Sequence, residues 1–379
     1  MKSNKKPGNT RVQKYSNDYH KRNHILAWII SIVAVLAVGA LAYFGYVYFK
    51  TKNAFDQTYD SKTKVSIKKG EFNGKKKFAV LFMGTDTGAL NRTEKRGRTD
   101  TIILAIVNPQ KKRYSLISIP RDTMAQMVNP SSSSSSSSDS SSNKLTVEKI
   151  NAAYSIGGAK MAMATVSKLI NVPVKYYAVI NMGGIMKMIN YVGGINIRPK
   201  LSFEYSGYVF KKNQLTHMGG AGALAYSRMR YDDPQGDYGR QARQRQVIVA
   251  LIKKAISVGS LTNLDSILTS FSGNVKTNLT FSALQSIALN YRACAKIVKS
   301  DYLHGVGVYI DGASYQVPPT YELQRISDYC RSELGLAKET ISNNETYQNK
   351  KNIKNGFKFN STKTQDYTIY DDYTEEGDN

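Results

Sequence analysis

The fold is decided by the run Lys77-Phe78-Ala79-Val80-Leu81-Phe82-Met83, which ends at Gly84. Two similar runs follow, Thr-Ile-Ile-Leu-Ala-Ile-Val at residues 101–107 and Tyr-Ser-Leu-Ile-Ser-Ile at residues 114–119. Their length and β-branched content favour strands over helices. The first two are apolar at nearly every position, which predicts burial on both faces of a sheet, whereas the third alternates.

Downstream segments alternate between helical and strand patterns. Apolar residues recur at helical spacing over residues 159–170, residues 176–180 read as a strand, and residues 183–191 read as a short helix. Two further helices are predicted over residues 241–258, which carry a core-facing apolar stripe, and over residues 281–298. This alternation predicts an α/β domain with helices packed over a central sheet.

The N-terminal region contains a candidate membrane span. Residues 25–49 carry no charged side chain, and as a helix they would be about 37 Å long, enough to cross a bilayer with some tilt. Seven lysines and arginines precede the span, which predicts a cytoplasmic N-terminus and an extracellular remainder. The alternative is a cleaved signal peptide with Ala40-Leu41-Ala42 as its site, but apolar residues continue to Phe49.

The chain is strongly basic, with a formal net charge of +25 at pH 7. Such charge suits an anionic partner, namely nucleic acid, acidic lipid or a phosphate polymer. An extracellular domain does not meet the chromosome, and the sequence has no helix-turn-helix pattern, so nucleic acid is disfavoured. The charge therefore points to lipid headgroups or wall polymers.

The rest of the chain divides by composition. Residues 1–24 form a basic polar tail, residues 50–76 a lysine-rich stalk, residues 77–260 the main domain, residues 261–344 its C-terminal extension, and residues 345–379 a polar tail predicted to be disordered. Within the domain, the serine-rich residues 131–142 predict a flexible loop. Cys294 and Cys330 could form one bridge or remain free thiols, and neither has zinc-site spacing.

Charged residues gather at the ends of the predicted strands, where α/β folds bind ligands. Asp86 follows the first strand, Arg98 and Asp100 precede the second, and Arg121 follows the third. Asp86 and Asp100 could hold one Mg²⁺, which prefers oxygen ligands and leaves room for phosphate oxygens. Arginine grips phosphate oxygens with a planar fork, so five arginines could surround a diphosphate: Arg98, Arg121, Arg228, Arg230 and Arg240.

The second half of this candidate site is the run at residues 227–244, in which a Pro-Gly turn separates Arg-Met-Arg from Arg-Gln-Ala-Arg. Two arginine arms around a turn suggest that both converge on one anion. Each residue alone has an ordinary explanation, since Asp86 could cap a turn and Arg121 could pair with Asp122. Taken together, the residues predict a polyanion or diphosphate site.

The ordered motifs resemble the LytR-CpsA-Psr family over roughly residues 77–260. Each motif alone is weak, but their order and spacing together are specific. The motifs are Gly84-Thr85-Asp86, Arg98-Thr99-Asp100-Thr101, Ser118-Ile119-Pro120-Arg121-Asp122, Lys149-Ile150-Asn151-Ala152-Ala153-Tyr154, Arg228-Met229-Arg230 and Gly236-Asp237-Tyr238-Gly239-Arg240-Gln241-Ala242-Arg243-Gln244.

The resemblance implies a single-span membrane protein with an extracellular αβα domain of the LytR-CpsA-Psr type. Such enzymes move a glycopolymer, such as teichoic acid, capsule or another wall polysaccharide, from a polyprenyl diphosphate carrier onto peptidoglycan. They would use Mg²⁺ or Mn²⁺, and polyprenyl phosphate would leave. The alternative is a membrane-anchored, polyprenyl-phosphate-binding regulator without transferase activity.

By the same resemblance, site roles fall on particular residues. Asp86 and Asp100 match metal-associated acids, and Asp86, Arg121 and Asp237 are the catalytic candidates. Which carboxylate takes the proton of the acceptor hydroxyl is left open between Asp86 and Asp237. The expected diphosphate ligands are Arg98, Arg121, Arg228, Arg230, Arg240 and Gln244.

Overall fold

A computed structural model describes Lys52 and residues 58–87, 97–130, 146–257 and 274–373. The predicted basic tail, membrane span and serine-rich loop lie outside these residues. No helix in the described ranges combines the length and the hydrophobicity that a membrane crossing requires.

In the described residues the strands lie before residue 220 or after residue 274, whereas the longest helix lies between these two groups. The strands are β1 Phe78–Thr85, β2 Thr99–Asn108, β3 Arg113–Ser118, β4 Met124–Gln126, β5 Val147–Lys149, β6 Tyr176–Asn181, β7 Ile195–Ile197, β8 Phe203–Tyr205, β9 Tyr208–Phe210, β10 Thr216–Met218, β11 Val275–Thr277, β12 Ile297–Tyr302, β13 Val306–Ile310, β14 Ala313–Val317 and β15 Gln365–Asp366. The α-helices are α1 Ala152–Ile170, α2 Met182–Tyr191, α3 Gly220–Arg228, α4 Gly236–Ser257, α5 Phe281–Asn290, α6 Thr320–Leu334 and α7 Asn344–Lys354.

The central sheet is mixed and has the strand order β11-β6-β1-β2-β3-β12. Strands β1, β2 and β3 form an antiparallel meander, and β6 runs parallel to β1. The two edge strands come from the C-terminal region, since β11 pairs antiparallel with β6 and β12 pairs parallel with β3. The region after residue 260 therefore completes the sheet of the main domain.

Helices cover both faces of this sheet. On one face Leu81 and Leu104 share an apolar cluster with residues of α1 and α6. On the opposite face Ile103 and Leu116 pack against Ile248 of α4, and α5 covers the neighbouring part of β1 and β6. Because successive strand residues face opposite sides, runs that are apolar at every position need two covering layers. The mixed α/β prediction and the three strand predictions are confirmed.

The predicted helix over residues 281–298 is wrong in its second half. Helix α5 ends at Asn290, a short 3₁₀ segment covers Arg292–Lys296, and the following residues form β12. Ile297 to Tyr302 find a complete set of backbone partners along β3, and this pairing overrides a local spacing that also suits a helix.

Residues 50–76 were predicted to form a stalk, and this prediction is wrong for residues 58–76, which the structure describes. Phe72 is buried, and its ring packs edge-on against Phe78 at 5.0 Å between centroids. The Tyr177 hydroxyl donates a hydrogen bond of 2.8 Å to Asp60 Oδ2. The many lysines of this segment are compatible with packing because the aromatic and acidic residues between them make the contacts.

The prediction of a disordered C-terminal tail is also wrong up to residue 373. Helix α7 buries the amides of Gln348, Asn349 and Asn352, and the Tyr370 backbone N–H donates to Gln348 Oε1 at 2.8 Å. Low hydrophobicity predicted disorder, but buried amides are tolerated when hydrogen bonds satisfy them.

The structure also decides whether Cys294 and Cys330 form a disulfide. They are free, buried thiols in separate apolar clusters.

Candidate active site

An irregularity between β1 and β2 presents the first carboxylate. The register of the two strands shifts between Gly84 and Thr85, which leaves Asp100 as the extra residue of a bulge in β2. Bulges re-aim side chains at sheet ends, and here the bulge directs Asp100 away from regular pairing. Asp86 directly follows β1 and lies beside Gly97, where an added Cβ would stand 3.0 Å from Asp86 Oδ1.

Arg121, which follows β3, makes the contact between this strand and the β1–β2 pair. It follows β3 by three residues, and its Nη1 donates to Asp100 Oδ1 at 2.7 Å. Its Nε lies 3.5 Å from Asp122 Oδ2, and the second oxygen of Asp122 lies 3.5 Å from Lys149 Nζ. The ends of β2 and β3 therefore carry a chain of alternating charges.

The first turns of α4 supply the opposite side of the site. Arg240 Nη2 lies 2.7 Å from Asp237 Oδ1, and Gln241 Nε2 donates to Asp237 Oδ2 at 2.8 Å. Arg240 Nη2 also donates to the Asp100 carbonyl oxygen at 3.4 Å, which connects α4 to the bulge. Asp237 Oδ2 therefore accepts a hydrogen bond on its own helix, whereas Oδ1 makes an ion-pair contact with Arg240 and has no hydrogen-bond partner among the described residues.

The carboxylates around Arg121 shift its pKa. Burial lowers the pKa of Arg121, but the hydrogen bond to Asp100 and the charges of Asp100, Asp122 and Asp237 raise it by more. Its net shift is upward, so the guanidinium keeps its charge at every physiological pH.

Arg240 shows the opposite shift. It is 7% exposed, and burial lowers its pKa against the attraction of Asp237 and Asp100, while the like charges of Arg121 and Arg230 lower it further. The structure therefore brings five predicted site residues within electrostatic reach of one another. An anion among these arginines would relieve their mutual repulsion.

Several buried polar atoms here have no hydrogen-bond partner among the described residues. They are Nε of Arg121, Nε of Arg240, Oδ1 of Asp237, Oε1 of Gln241 and Oε1 of Gln244. Buried polar groups are normally satisfied, so their concentration at one place is a mark of a ligand site. Two unpaired arginine donors suit anionic oxygens, and the glutamine acceptors suit hydroxyl or water donors.

Arg243, the last arginine of the run at residues 227–244, does not join the other arginines at this site. Its Nε donates to the Tyr226 carbonyl oxygen at 3.1 Å, its Nη2 donates to the Met229 carbonyl oxygen, and its Nη1 pairs with Asp233. The side chains of Arg243 and Asp233 are 6% and 8% exposed. The hypothesis that both arms of the run converge on one anion is therefore wrong for Arg243, which instead anchors the loop between α3 and α4.

This anchored loop carries the remaining two arginines. Arg228 is the last residue of α3 and Arg230 follows two residues later, both half-buried. A Cβ on Gly239 would stand 2.0 Å from Asp233 Oδ2, so only glycine allows the Asp233 carboxylate to approach α4 this closely. Arg98, by contrast, is exposed at the rim, where its charge lowers the pKa of Tyr315 against the larger effect of burial.

The carboxylates Asp86 and Asp100 fit the hard oxygen ligands that Mg²⁺ prefers. The ion commonly uses one or two carboxylates and completes its shell with water and substrate phosphates. The Arg121 contact uses one oxygen of Asp100, which leaves the other able to bind a metal. The described residues contain no group of three or more His, Cys, Asp or Glu side chains that could hold a metal by themselves. A metal held by these two carboxylates would complete its shell with water or with substrate oxygens.

The profile of the LytR-CpsA-Psr family matches residues 42–332, which include every strand-end residue described above. The chain belongs to the LytR-CpsA-Psr family. An Enterococcus faecalis relative, named polyisoprenyl-teichoic acid–peptidoglycan teichoic acid transferase TagU, is 38% identical over 314 residues, covering 83% of this chain and 98% of the relative. The Bacillus subtilis protein of the same name is 36% identical, covering 78% of this chain and 91% of the relative.

A solved structure shares the architecture of this chain. A crystal structure of the Streptococcus agalactiae protein gbs0355 superposes with a TM-score of 0.66 at 32% identity, covering 76% of this chain and 98% of that one. The family resemblance stated from the motifs alone is thus confirmed.

Sequence reasoning about this LytR-CpsA-Psr site missed three residues. Asp122 and Lys149 extend the charge chain from Arg121, and Arg243 holds the arginine loop. Asp122 and Lys149 stood in the quoted motifs, so their charge next to Arg121 and to a strand was an available signal. No local signal distinguishes Arg243 from its neighbours, because its role depends on the backbone of a preceding segment.

Proposed function

We propose that this protein transfers a wall glycopolymer of the teichoic acid class from a polyprenyl diphosphate carrier to peptidoglycan. The observation that carries the proposal is the cluster in which Arg121 and Arg230 act electrostatically on Arg240, and in which the buried Nε atoms of Arg121 and Arg240 have no hydrogen-bond partner among the described residues. The relatives named as teichoic acid transferases are 36% and 38% identical to this chain over the aligned residues.

In the proposed reaction, an acceptor hydroxyl of peptidoglycan attacks the phosphorus that carries the glycopolymer. The new P–O bond forms as the bond to polyprenyl phosphate breaks, and the arginines stabilise the charge on the leaving phosphate. Asp86 and Asp100 would hold Mg²⁺ or Mn²⁺. Such an ion neutralises charge on the diphosphate oxygens when bound. Arg98, Arg228 and Gln244 would extend contacts along the diphosphate and its first sugar.

The proton of the acceptor hydroxyl needs a carboxylate within reach. Asp237 has one oxygen against Arg240 and the other bonded to Gln241, an arrangement that suits orienting the arginine more than receiving a proton. Asp86 follows β1 directly and lies against Gly97, at the same end of the sheet as Asp100 and Arg121. We propose Asp86 as the proton acceptor at this strand end and Asp237 as the residue that orients Arg240.

A lipid-binding regulator would be built differently. It would need the arginines to hold a polyprenyl phosphate, but carboxylates at the same place repel phosphate unless a metal intervenes. Asp86, Asp100, Asp122 and Asp237 all lie beside the arginines or on the strand ends that carry them. This density of acids favours transfer chemistry over passive anion binding.

Purified full-length protein is expected to transfer teichoic acid from its polyprenyl diphosphate to peptidoglycan fragments in the presence of Mg²⁺. Chelation with EDTA should stop the reaction, and added Mg²⁺ or Mn²⁺ should restore it, because the metal reduces repulsion between carboxylates and diphosphate. Product is measured as radiolabelled polymer on the acceptor. Turnover unaffected by EDTA would contradict the metal assignment, and no turnover with any wall-polymer donor would contradict the transferase.

We further propose a single-pass membrane protein with a cytoplasmic N-terminus and an extracellular site, on the strength of the uncharged residues 25–49 and the lysines and arginines before them. Protease added to intact protoplasts should digest the chain after residue 50 and leave a cytoplasmic marker protein intact. A fully protected chain would show that this orientation is wrong.

A further inference from the structure

Three aromatic rings form a connected group beside the active site. The rings of Tyr302 and His304 stack with centroids 4.0 Å apart and an interplanar angle of 33°. Tyr238 completes the group, with its ring centroid 4.9 Å from that of Tyr302 and 5.9 Å from that of His304. The proposed transfer chemistry uses none of the three.

The position of this group follows from the sheet. Strand β12 runs parallel to β3, and the Leu303 backbone N–H donates to the Ser118 carbonyl oxygen at 2.9 Å. His304 therefore leaves the same end of the sheet as Arg121, one strand away. Tyr238 is the residue directly after Asp237 on α4, so the rings border the α4 side of the diphosphate site.

A buried arginine, Arg245, lies over the Tyr302 ring. The Arg245 guanidinium lies 5.6 Å from the centre of the Tyr302 ring. Arg245 is itself fixed by hydrogen bonds to Ser300 Oγ at 2.6 Å and Ser118 Oγ at 2.5 Å, and its burial lowers its pKa to about 10. A cation under an aromatic face is favourable, so this contact sets the plane of the Tyr302 ring.

Tyr238 and His304 are also fixed through polar contacts. The Tyr238 hydroxyl donates to Gln316 Oε1 at 3.1 Å and accepts from the Gly305 backbone N–H at 2.9 Å. The His304 backbone N–H donates to Glu322 Oε1 at 2.9 Å, whereas the His304 side chain is exposed. The His304 ring packs against Tyr302 and Tyr238 on a backbone held by Glu322, so it is oriented before any ligand binds, which reduces the entropy lost on binding.

We propose that this stack, with His304 outermost, binds a pyranose ring of the acceptor glycan. The aliphatic C–H groups of a pyranose carry partial positive charge and fit against the electron-rich face of an aromatic ring. The proposal rests on the transferase function given above. The donor has a diphosphate that the arginines hold, whereas a glycan hydroxyl has no such ionic anchor. Its recognition therefore needs apolar contact of the kind that an exposed, preoriented ring offers.

Steady-state transfer by the full chain in detergent tests this assignment. His304→Ala is expected to raise the KM for the peptidoglycan acceptor about three- to tenfold, while kcat and the KM for the donor stay within about twofold. His304→Phe keeps an aromatic face and should restore the acceptor KM. The matched control is His217→Ala, which removes an exposed histidine from β10.

An unchanged acceptor KM in His304→Ala would overturn the proposal, and so would a rise confined to the donor KM. If His304→Phe is as impaired as His304→Ala, stacking is not the role of this residue. A second measurement needs no turnover: calorimetric titration of a GlcNAc–MurNAc oligosaccharide should show weaker binding to His304→Ala than to wild type. Equal binding would refute the glycan surface even if the transfer function itself proved wrong.

Discussion

Replacing Arg121 by alanine is expected to reduce glycopolymer transfer by about 10²- to 10³-fold while the protein remains folded. Removal of one preorganised charged donor from a transition state commonly costs this much. Arg121 is central because it contacts Asp100 directly and lies within the field of Asp122 and Asp237, so its loss also leaves three carboxylates with less compensation. Arg121→Lys keeps the charge but loses the planar fork, and an intermediate rate is expected.

The comparison for Arg121→Ala is Arg292→Ala, which removes an exposed arginine from the 3₁₀ segment after α5. Both variants should keep the wild-type thermal unfolding midpoint within a few degrees, as measured by circular dichroism. Normal turnover by Arg121→Ala would show that this guanidinium is not part of the catalytic site. A loss of activity shared equally by Arg292→Ala would point to a nonspecific effect of charge.

The largest effect on stability is expected from Arg243→Ala. The substitution leaves Asp233 as a buried charge without its cation and leaves the Tyr226 and Met229 carbonyl oxygens without their shared donor. Breaking a buried ion pair by removing one partner typically costs about 3–5 kcal/mol of folding free energy. Chemical denaturation of wild type and variant measures this difference, and a cost below about 1 kcal/mol would show that the pair is unimportant.

Gly239→Ala tests the position of the loop between α3 and α4 with a smaller expected effect on global stability. Gly239→Ala would place a methyl group against the Asp233 carboxylate and should displace the loop that carries Arg228 and Arg230. We expect a raised KM for the lipid-linked donor with a smaller loss of stability than Arg243→Ala causes. Gly207→Ala, at the exposed turn between β8 and β9, is the control for backbone strain alone, since an added Cβ there meets no atom but the φ of +76° is strained for an L side chain.

The strands of the core were predictable because their signal is local. Residues 78–83 and 102–107 are apolar without interruption, and a short β-branched run of this kind has few alternatives to a buried strand. The contact between Asp100 and Arg121 was predictable for the same reason, since residues at strand ends meet wherever the strands pair. The bulge that turns Asp100 toward Arg121 was not predictable, because a one-residue shift in register depends on the partner strand.

Elements whose stability comes from distant partners were predicted incorrectly. Residues 297–302 form an edge strand because β3 offers them a free edge, and α7 is ordered because its buried amides bond to segments that include residues 365–370. Neither interaction has a signature within a short window of sequence. Composition alone therefore favoured a helix in the first case and disorder in the second.

By itself, the sequence determined that this chain is a basic α/β protein with acids and arginines at its strand ends, because hydrophobic periodicity and residue chemistry are local properties. Only the tertiary structure separated the arginines by role. Arg121 and Arg240 face the same carboxylates with unpaired donors, whereas Arg243, three residues beyond Arg240, turns into the backbone of a preceding loop. Positions three apart on a helix differ by only about 60° and lie near one face, so local helix geometry does not separate Arg240 from Arg243, and their tertiary partners do.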